Sequence, residues 1–135
     1  QDGVVDLIIG TAGAGLRYFA GIASSGGMTL LSWSERSADA NPFSSLSLGS
    51  NLMPGMGSLL RVDGDREILV GTAEGRLTSL VRGTTVDGGV KYVEASGSSL
   101  TFIRVDSQSA PALTDVDGDG LLDLVLGEKG SAFEV

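Results

Sequence analysis

The chain has 135 residues, 41% of them hydrophobic, which supports one domain with its own core and excludes wholesale disorder. A formal charge of −8 argues against nucleic-acid backbones and anionic membrane surfaces as partners. The chain contains neither cysteine nor histidine, which excludes disulfides, thiolate and imidazole metal sites, and Ser-His or Cys-His catalytic pairs. No apolar run is long enough for a membrane-spanning helix, and no basic-then-apolar leader opens the chain. Gln1 in first place is what a processed or partial chain would show. Twenty-one glycines and 5% aromatics point to many tight turns between short strands.

In chain order, "VVDLIIG" from Val4 places an acid (Asp6) before three apolar residues and Gly10, the pattern of a short buried strand. "GLRYFAGI" and "MTLLSWSE" follow as further strands. Met53 and Met56, with Pro54 and Gly55 between them, read as a loop over an apolar edge rather than a partner groove. "DREILVG" from Asp65 repeats the first pattern, with Glu67 and Gly71 in the places of Asp6 and Gly10. "GRLTSLVRG", "VKYVEAS" and "LTFIRVD" are the next predicted strands. "LLDLVLG" from Leu121 is a third copy, with Asp123 and Gly127. The three glycines lie 61 and then 56 residues apart, and Pro54 and Pro111 each precede a "VDGD" segment. About four strands in a unit of about 60 residues is the size of a propeller blade. The predicted units are 1–62, 63–119 and the start of a third over 120–135. A helical repeat is the rival, but no stretch sustains an amphipathic period of 3.6.

The segment "SAPALTDVDGDGLLDLVLGEKG" resembles the FG-GAP/VCBS repeat of integrin-α-like β-propellers, and "ANPFSSLSLGSNLMPGMGSLLRVDGDREILVGTAEGRL" resembles the same unit in decayed form. The resemblance covers most of the chain, with its strong motif once, at residues 115 to 123. It implies an all-β fold of antiparallel four-stranded blades, in a ring of about seven, with calcium in a loop joining successive strands. Little more than two periods are present, so a partial propeller is expected, completed by further blades of the same chain or by other protein subunits.

The loop "DVDGDGLLD" carries the candidate chemistry. Calcium takes about six to eight oxygen ligands, often from carboxylates at alternate positions of a short loop. Asp115, Asp117, Asp119 and Asp123 occupy positions 1, 3, 5 and 9, and the carbonyl of Leu121 fills position 7. Gly118 and Gly120 allow the backbone to curl until alternate side chains converge. An EF-hand begins alike but needs an acid at position 12, where Leu126 stands, and a departing helix where "DLVLG" reads as a strand. Magnesium favours retained water over an all-protein cage. The competing reading is a solvated acidic turn, since Asp and Gly are common turn residues.

The sister loops are weaker. In "RVDGDREILVG", one alignment puts Arg61 at position 1 and leaves the loop two residues short; the other puts Leu59 and Arg61 at positions 1 and 3. Either way Arg61 or Arg66 brings its own positive charge, and no calcium is expected there. At the start of the chain Asp2 and Asp6 hold positions 5 and 9 of a half-site whose other ligands would lie upstream.

Trp33, Tyr18, Phe19 and Phe43 read as blade packing more readily than as a sugar platform. Arg17, Arg61, Arg66, Arg76 and Arg82 sit in separate turns and read as solvated positions. The expected function is a non-catalytic, calcium-binding module for protein–protein or glycan interaction. Its expected setting is extracellular or lumenal, where calcium is near millimolar. The alternative is part of a calcium-dependent polysaccharide lyase, which some propellers resemble. Lyase chemistry needs a proton-abstracting base, and only Lys91, Lys129, Tyr18, Tyr92 or an acid is on offer.

Overall fold

The computed structural model describes residues 4–13, 15–24, 29–57, 67–97 and 99–130. Among these, the protein is all-β: nine strands form three antiparallel sheets, with no α-helix. None of the described helical turns is long and apolar enough to cross a membrane. The first sheet is β1 (Leu7–Gly10), β2 (Leu16–Ala23) and β3 (Leu30–Arg36), in that order. The second runs β4 (Met53–Gly57), β5 (Glu67–Gly71), β6 (Leu77–Thr84) and β7 (Val90–Glu94). The third is the hairpin of β8 (Ala110–Thr114) and β9 (Asp123–Gly127). A unit boundary at 62/63 lies outside the described residues, and one at 119/120 falls in the loop between β8 and β9.

Two expectations are overturned. Met53–Gly57 is a strand, paired with β5 from Met53↔Gly71 to Gly57↔Glu67, and not a loop. Proline and two glycines hid it. Pro54 is admissible because β4 is an edge strand whose outer side needs no donor. Gly55 and Gly57 are small because the third sheet abuts them: a Cβ on Gly55 would lie 2.6 Å from the Pro111 carbonyl oxygen, and one on Gly57 would strike Leu113 and Leu122. The second correction is "LTFIRVD". Ser99–Phe102 is a short 3-10 turn, closed by the Ile103 amide donating to the Leu100 carbonyl at 3.0 Å. Only an isolated bridge between Arg76 and Arg104 follows. The segment crosses from the outer strand β7 back to β8, and Leu100 turns inward while Phe102 stays exposed. Among the described residues it pairs with no strand beyond that bridge and the Val105 amide's bond to the Gly75 carbonyl at 3.0 Å.

The core lies between the first two sheets. Leu16, Phe43, Leu52, Ile68, Val70 and Leu80 are buried there, with Ile8, Tyr18 and Tyr92 packed around them. Phe43 comes from the connector between β3 and β4. Asn41 fixes it by donating from Nδ2 to the Leu16 carbonyl (2.9 Å) and accepting at Oδ1 from the Phe43 amide (3.0 Å). Phe43 stacks on Tyr92 with centroids 4.8 Å apart and meets Tyr18 edge-on at 6.3 Å. Of the four aromatics read as packing, Phe43 is buried and Tyr18 packs against the core. Trp33 is instead 47% exposed, its Nε1 donating to the Val5 carbonyl at 3.2 Å.

The sheets meet at two joints of the same construction. After Gly10, the carbonyls of Thr11 and Ala12 accept from the amides of Leu52 and Asn51, both at 3.1 Å. After Gly71, those of Thr72 and Ala73 accept from Ser109 and Gln108 at 3.1 and 3.0 Å. Asn51 and Gln108 both adopt left-handed backbone angles, φ 50° and 40°. At each joint a Cβ on the glycine would land on the carbonyl oxygen of the residue before the next sheet's first strand, Leu52 or Ser109. Glycine is the residue that permits this approach.

Candidate metal centre

The β8–β9 hairpin presents the acidic loop. Strand pairing runs from Ala110↔Gly127 to Thr114↔Asp123, so Asp115 and Asp123 flank the mouth of the turn. Between them the chain curls through Gly118 and Gly120, at φ 81° and 88°, a region that suits glycine and few other residues. The carboxylates hold that curl. Asp115 accepts from the amides of Gly118 (2.7 Å) and Gly120 (2.9 Å), one with each oxygen. Asp117 accepts from the Asp119 amide at 3.2 Å, Asp119 from Leu121 at 2.8 Å, and Asp123 from Val116 at 2.9 Å.

This arrangement brings one oxygen each of Asp115, Asp117 and Asp123 within 4.8 Å of one another. Asp119 does not join that trio; one of its oxygens is engaged by the Leu121 amide. Leu121 itself is 69% exposed, on the solvent side of the turn. Three like charges at this spacing repel, and a cation between them would reverse the sign of the interaction. The donor set is carboxylate oxygen alone, which suits a hard ion such as calcium and not zinc or copper. Several lone pairs of the trio are already occupied by backbone amides, which orients the carboxylates.

The corresponding acids elsewhere are differently employed. Asp6 accepts from the Tyr18 hydroxyl (2.8 Å) and the Gly21 amide (2.9 Å), so both its oxygens are committed within the first sheet. Glu67 is buried, 1% exposed, and accepts from Ser79 Oγ at 3.3 Å. Asp2, Leu59, Arg61 and Arg66, and with them the upstream half-site and the "RVDGDR" loop, lie outside the described residues.

Sequence reasoning missed a cavity of about 460 Å³ between the first two sheets, bounded by Asp6, Tyr18, Phe43, Arg82 and Tyr92 among others. It gathers two of the candidate bases, Tyr18 and Tyr92, from strands far apart in the chain. The only local signal was the alternation that faces Ile8 and Tyr18 to the same side as partners in the β1–β2 pair. Arg17, read as solvated, is exposed but holds an ion pair with Glu35, Nε to Oε1 at 2.7 Å, and lies 5.1 Å from the Phe19 ring centre. Compared with known proteins, the chain matches no family model, and no curated protein or solved structure matches it.

Proposed function

We propose that the chain is a non-catalytic, calcium-binding β-propeller module of the FG-GAP/VCBS kind, serving protein or glycan interaction in an extracellular or lumenal setting. The observation that carries this reading is the convergence of Asp115, Asp117 and Asp123 at the turn of a β-hairpin. The two joints of one construction support the blade reading, since each repeats the same hydrogen bonds and the same glycine contact. Asp119 and the Leu121 carbonyl complete the ligand set when the loop closes on the ion.

The test is thermal melting with calcium and with EDTA. Ligand at about 100 times Kd adds roughly 2.7 kcal/mol to the native state, a rise in Tm of roughly 5–10 °C for a domain of this size. Asp117→Asn removes the shift and leaves the EDTA melting temperature unchanged or higher, because one of three repelling charges is gone. Asp119→Ala reduces the shift by less. Equal melting temperatures with calcium and EDTA would refute the metal reading.

A further inference from the structure

We infer that Asp87, at the tip of the β6–β7 hairpin, is a site of spontaneous backbone isomerisation, whereas the Asp-Gly pairs of the acidic loop are held against the same reaction. The chain contains five Asp-Gly pairs, and three lie among the described residues: Asp87–Gly88, Asp117–Gly118 and Asp119–Gly120. At such a pair the glycine amide nitrogen attacks the carboxyl carbon of the aspartate side chain. A C–N bond forms, a C–O bond breaks and water leaves, closing a cyclic imide. Water then opens the ring at either carbonyl, and one of the two openings leaves the backbone running through the side-chain carbon as isoaspartate. The water lost is regained, so the mass is unchanged and no co-reactant enters. Glycine favours the attack because no Cβ shields its nitrogen.

The step asks two things of the structure: a glycine amide released from its hydrogen bond, and a carboxyl free to swing onto it. The acidic loop grants neither. Gly118 and Gly120 donate to the two oxygens of Asp115 at 2.7 and 2.9 Å. Hydrogen bonds to an ionised acceptor are roughly twice as strong as those between neutral groups. The reacting carboxylates are tied as well, Asp117 by the Asp119 amide and Asp119 by the Leu121 amide.

The hairpin tip lacks these restraints. Strand pairing ends at Thr84↔Val90. Beyond it the Thr85 amide donates to the Gly89 carbonyl and the Gly89 amide to Thr85 Oγ1, both at 2.8 Å. The Gly88 amide donates to the neutral Thr85 carbonyl at 3.0 Å. Among the described residues the Asp87 carboxylate accepts no hydrogen bond and meets no cation. Every residue from Val86 to Val90 is exposed. Freeing the Gly88 nitrogen therefore costs one neutral bond at a solvent-exposed turn, where local opening is least costly. Further along β7 the Tyr92 amide donates to the Pro42 carbonyl at 2.9 Å and the Tyr92 ring stacks on Phe43, which confines the added backbone length to the tip.

The experiment incubates the folded 135-residue chain in heavy-oxygen water at neutral pH, with EDTA present so that the outcome is independent of the metal reading. Each imide hydrolysis incorporates one solvent oxygen, and electron-transfer fragmentation of the digested chain locates it and tells isoaspartate from aspartate. Expected is isoaspartate at Asp87, formed about ten-fold faster than at Asp117 or Asp119. In urea, where these hydrogen bonds are absent, the three pairs react alike. Thr85→Val removes the anchor of the Gly89 amide and speeds the reaction at Asp87 alone. Asp87→Glu, whose longer side chain closes the ring far more slowly, suppresses it there with an unchanged melting temperature. An unmodified Asp87, Asp117 or Asp119 reacting as fast as Asp87 in the folded chain, or the same ordering persisting in urea overturns the proposal.

Discussion

Asp6, Glu67 and Asp123 stand at corresponding places, and their surroundings give each a different task. Asp6 ties β2 to β1, Glu67 is buried against Ser79, and Asp123 faces two other carboxylates. Neighbours, and not residue type, decide among these tasks. The glycines that follow them differ in the same way. A Cβ at Gly71 would meet the Ser109 carbonyl, whereas one at Gly127 lies an ordinary 3.6 Å from the Ala110 oxygen. Gly71→Ala is therefore expected to destabilise by about 3 kcal/mol or more, and Gly127→Ala by less than about 1 kcal/mol, in denaturant unfolding. Equal losses would show that the joint is not the constraint. A third residue-level expectation concerns acid. The hydrogen bonds from Arg17, and then its charge, hold the Glu35 carboxyl below the usual glutamate range. A carboxyl lowered in the folded state stabilises above its unfolded pKa, and that contribution is lost as pH falls through the folded value. An NMR titration should give Glu35 a low midpoint that Arg17→Ala moves upward; an unmoved midpoint rules out the ion pair as its cause.

At the scale of elements, β5 is the centre of the structure. All five of its residues are buried, with β4 and β6 on its edges and sheets on both faces. Ile68 and Val70 face the first sheet's core, while Gly71 abuts the third sheet. The slowest native-state amide exchange is expected in β5 and at Leu80 of β6, and faster exchange in β3 and β9, which are edges. A protection maximum in the first sheet would contradict this account of the core. Strands β4 and β8 were hard to see in the sequence for one reason: proline and small residues suit an edge strand pressed against a neighbouring sheet, but in isolation they read as turns. The segment "LTFIRVD" erred the other way. Its composition suits a strand, yet strands require a neighbour to pair with, and among the described residues this one has the single Arg76–Arg104 bridge.

At the scale of the whole molecule, the two end sheets leave apolar residues facing outward. Leu7 and Ile9 are each 38% exposed on the first, and Val125 is 46% exposed on the third. Their counterparts in the middle sheet, Ile68, Val70 and Leu69, are at most 1% exposed because a sheet covers each face. Burying such faces would be favourable at roughly 25 cal/mol per Å², so self-association of the 135-residue chain is the expectation to test. Light scattering should show mass rising with concentration, and Val125→Lys should suppress the rise without lowering the melting temperature. A chain that stays monomeric at every concentration would show that these faces are too small to associate.

The sequence by itself determined the all-β class and the curled acidic loop. Both are local matters: short apolar runs ending in glycine cannot form amphipathic helices, and carboxylates alternating with glycine fold back on their own amides. It also marked Gly10 and Gly71 as special without giving the reason. Only the tertiary structure decided that each glycine admits the backbone of the next sheet, and that "MPGMG" and "APALT" are strands. It also selected three of the four loop aspartates to converge and gathered Tyr18, Phe43 and Tyr92 into one cluster. Each of these depends on contact between residues distant in the chain. Pairing and close packing are set by the partner surface as much as by the segment itself, and no local pattern encodes the partner.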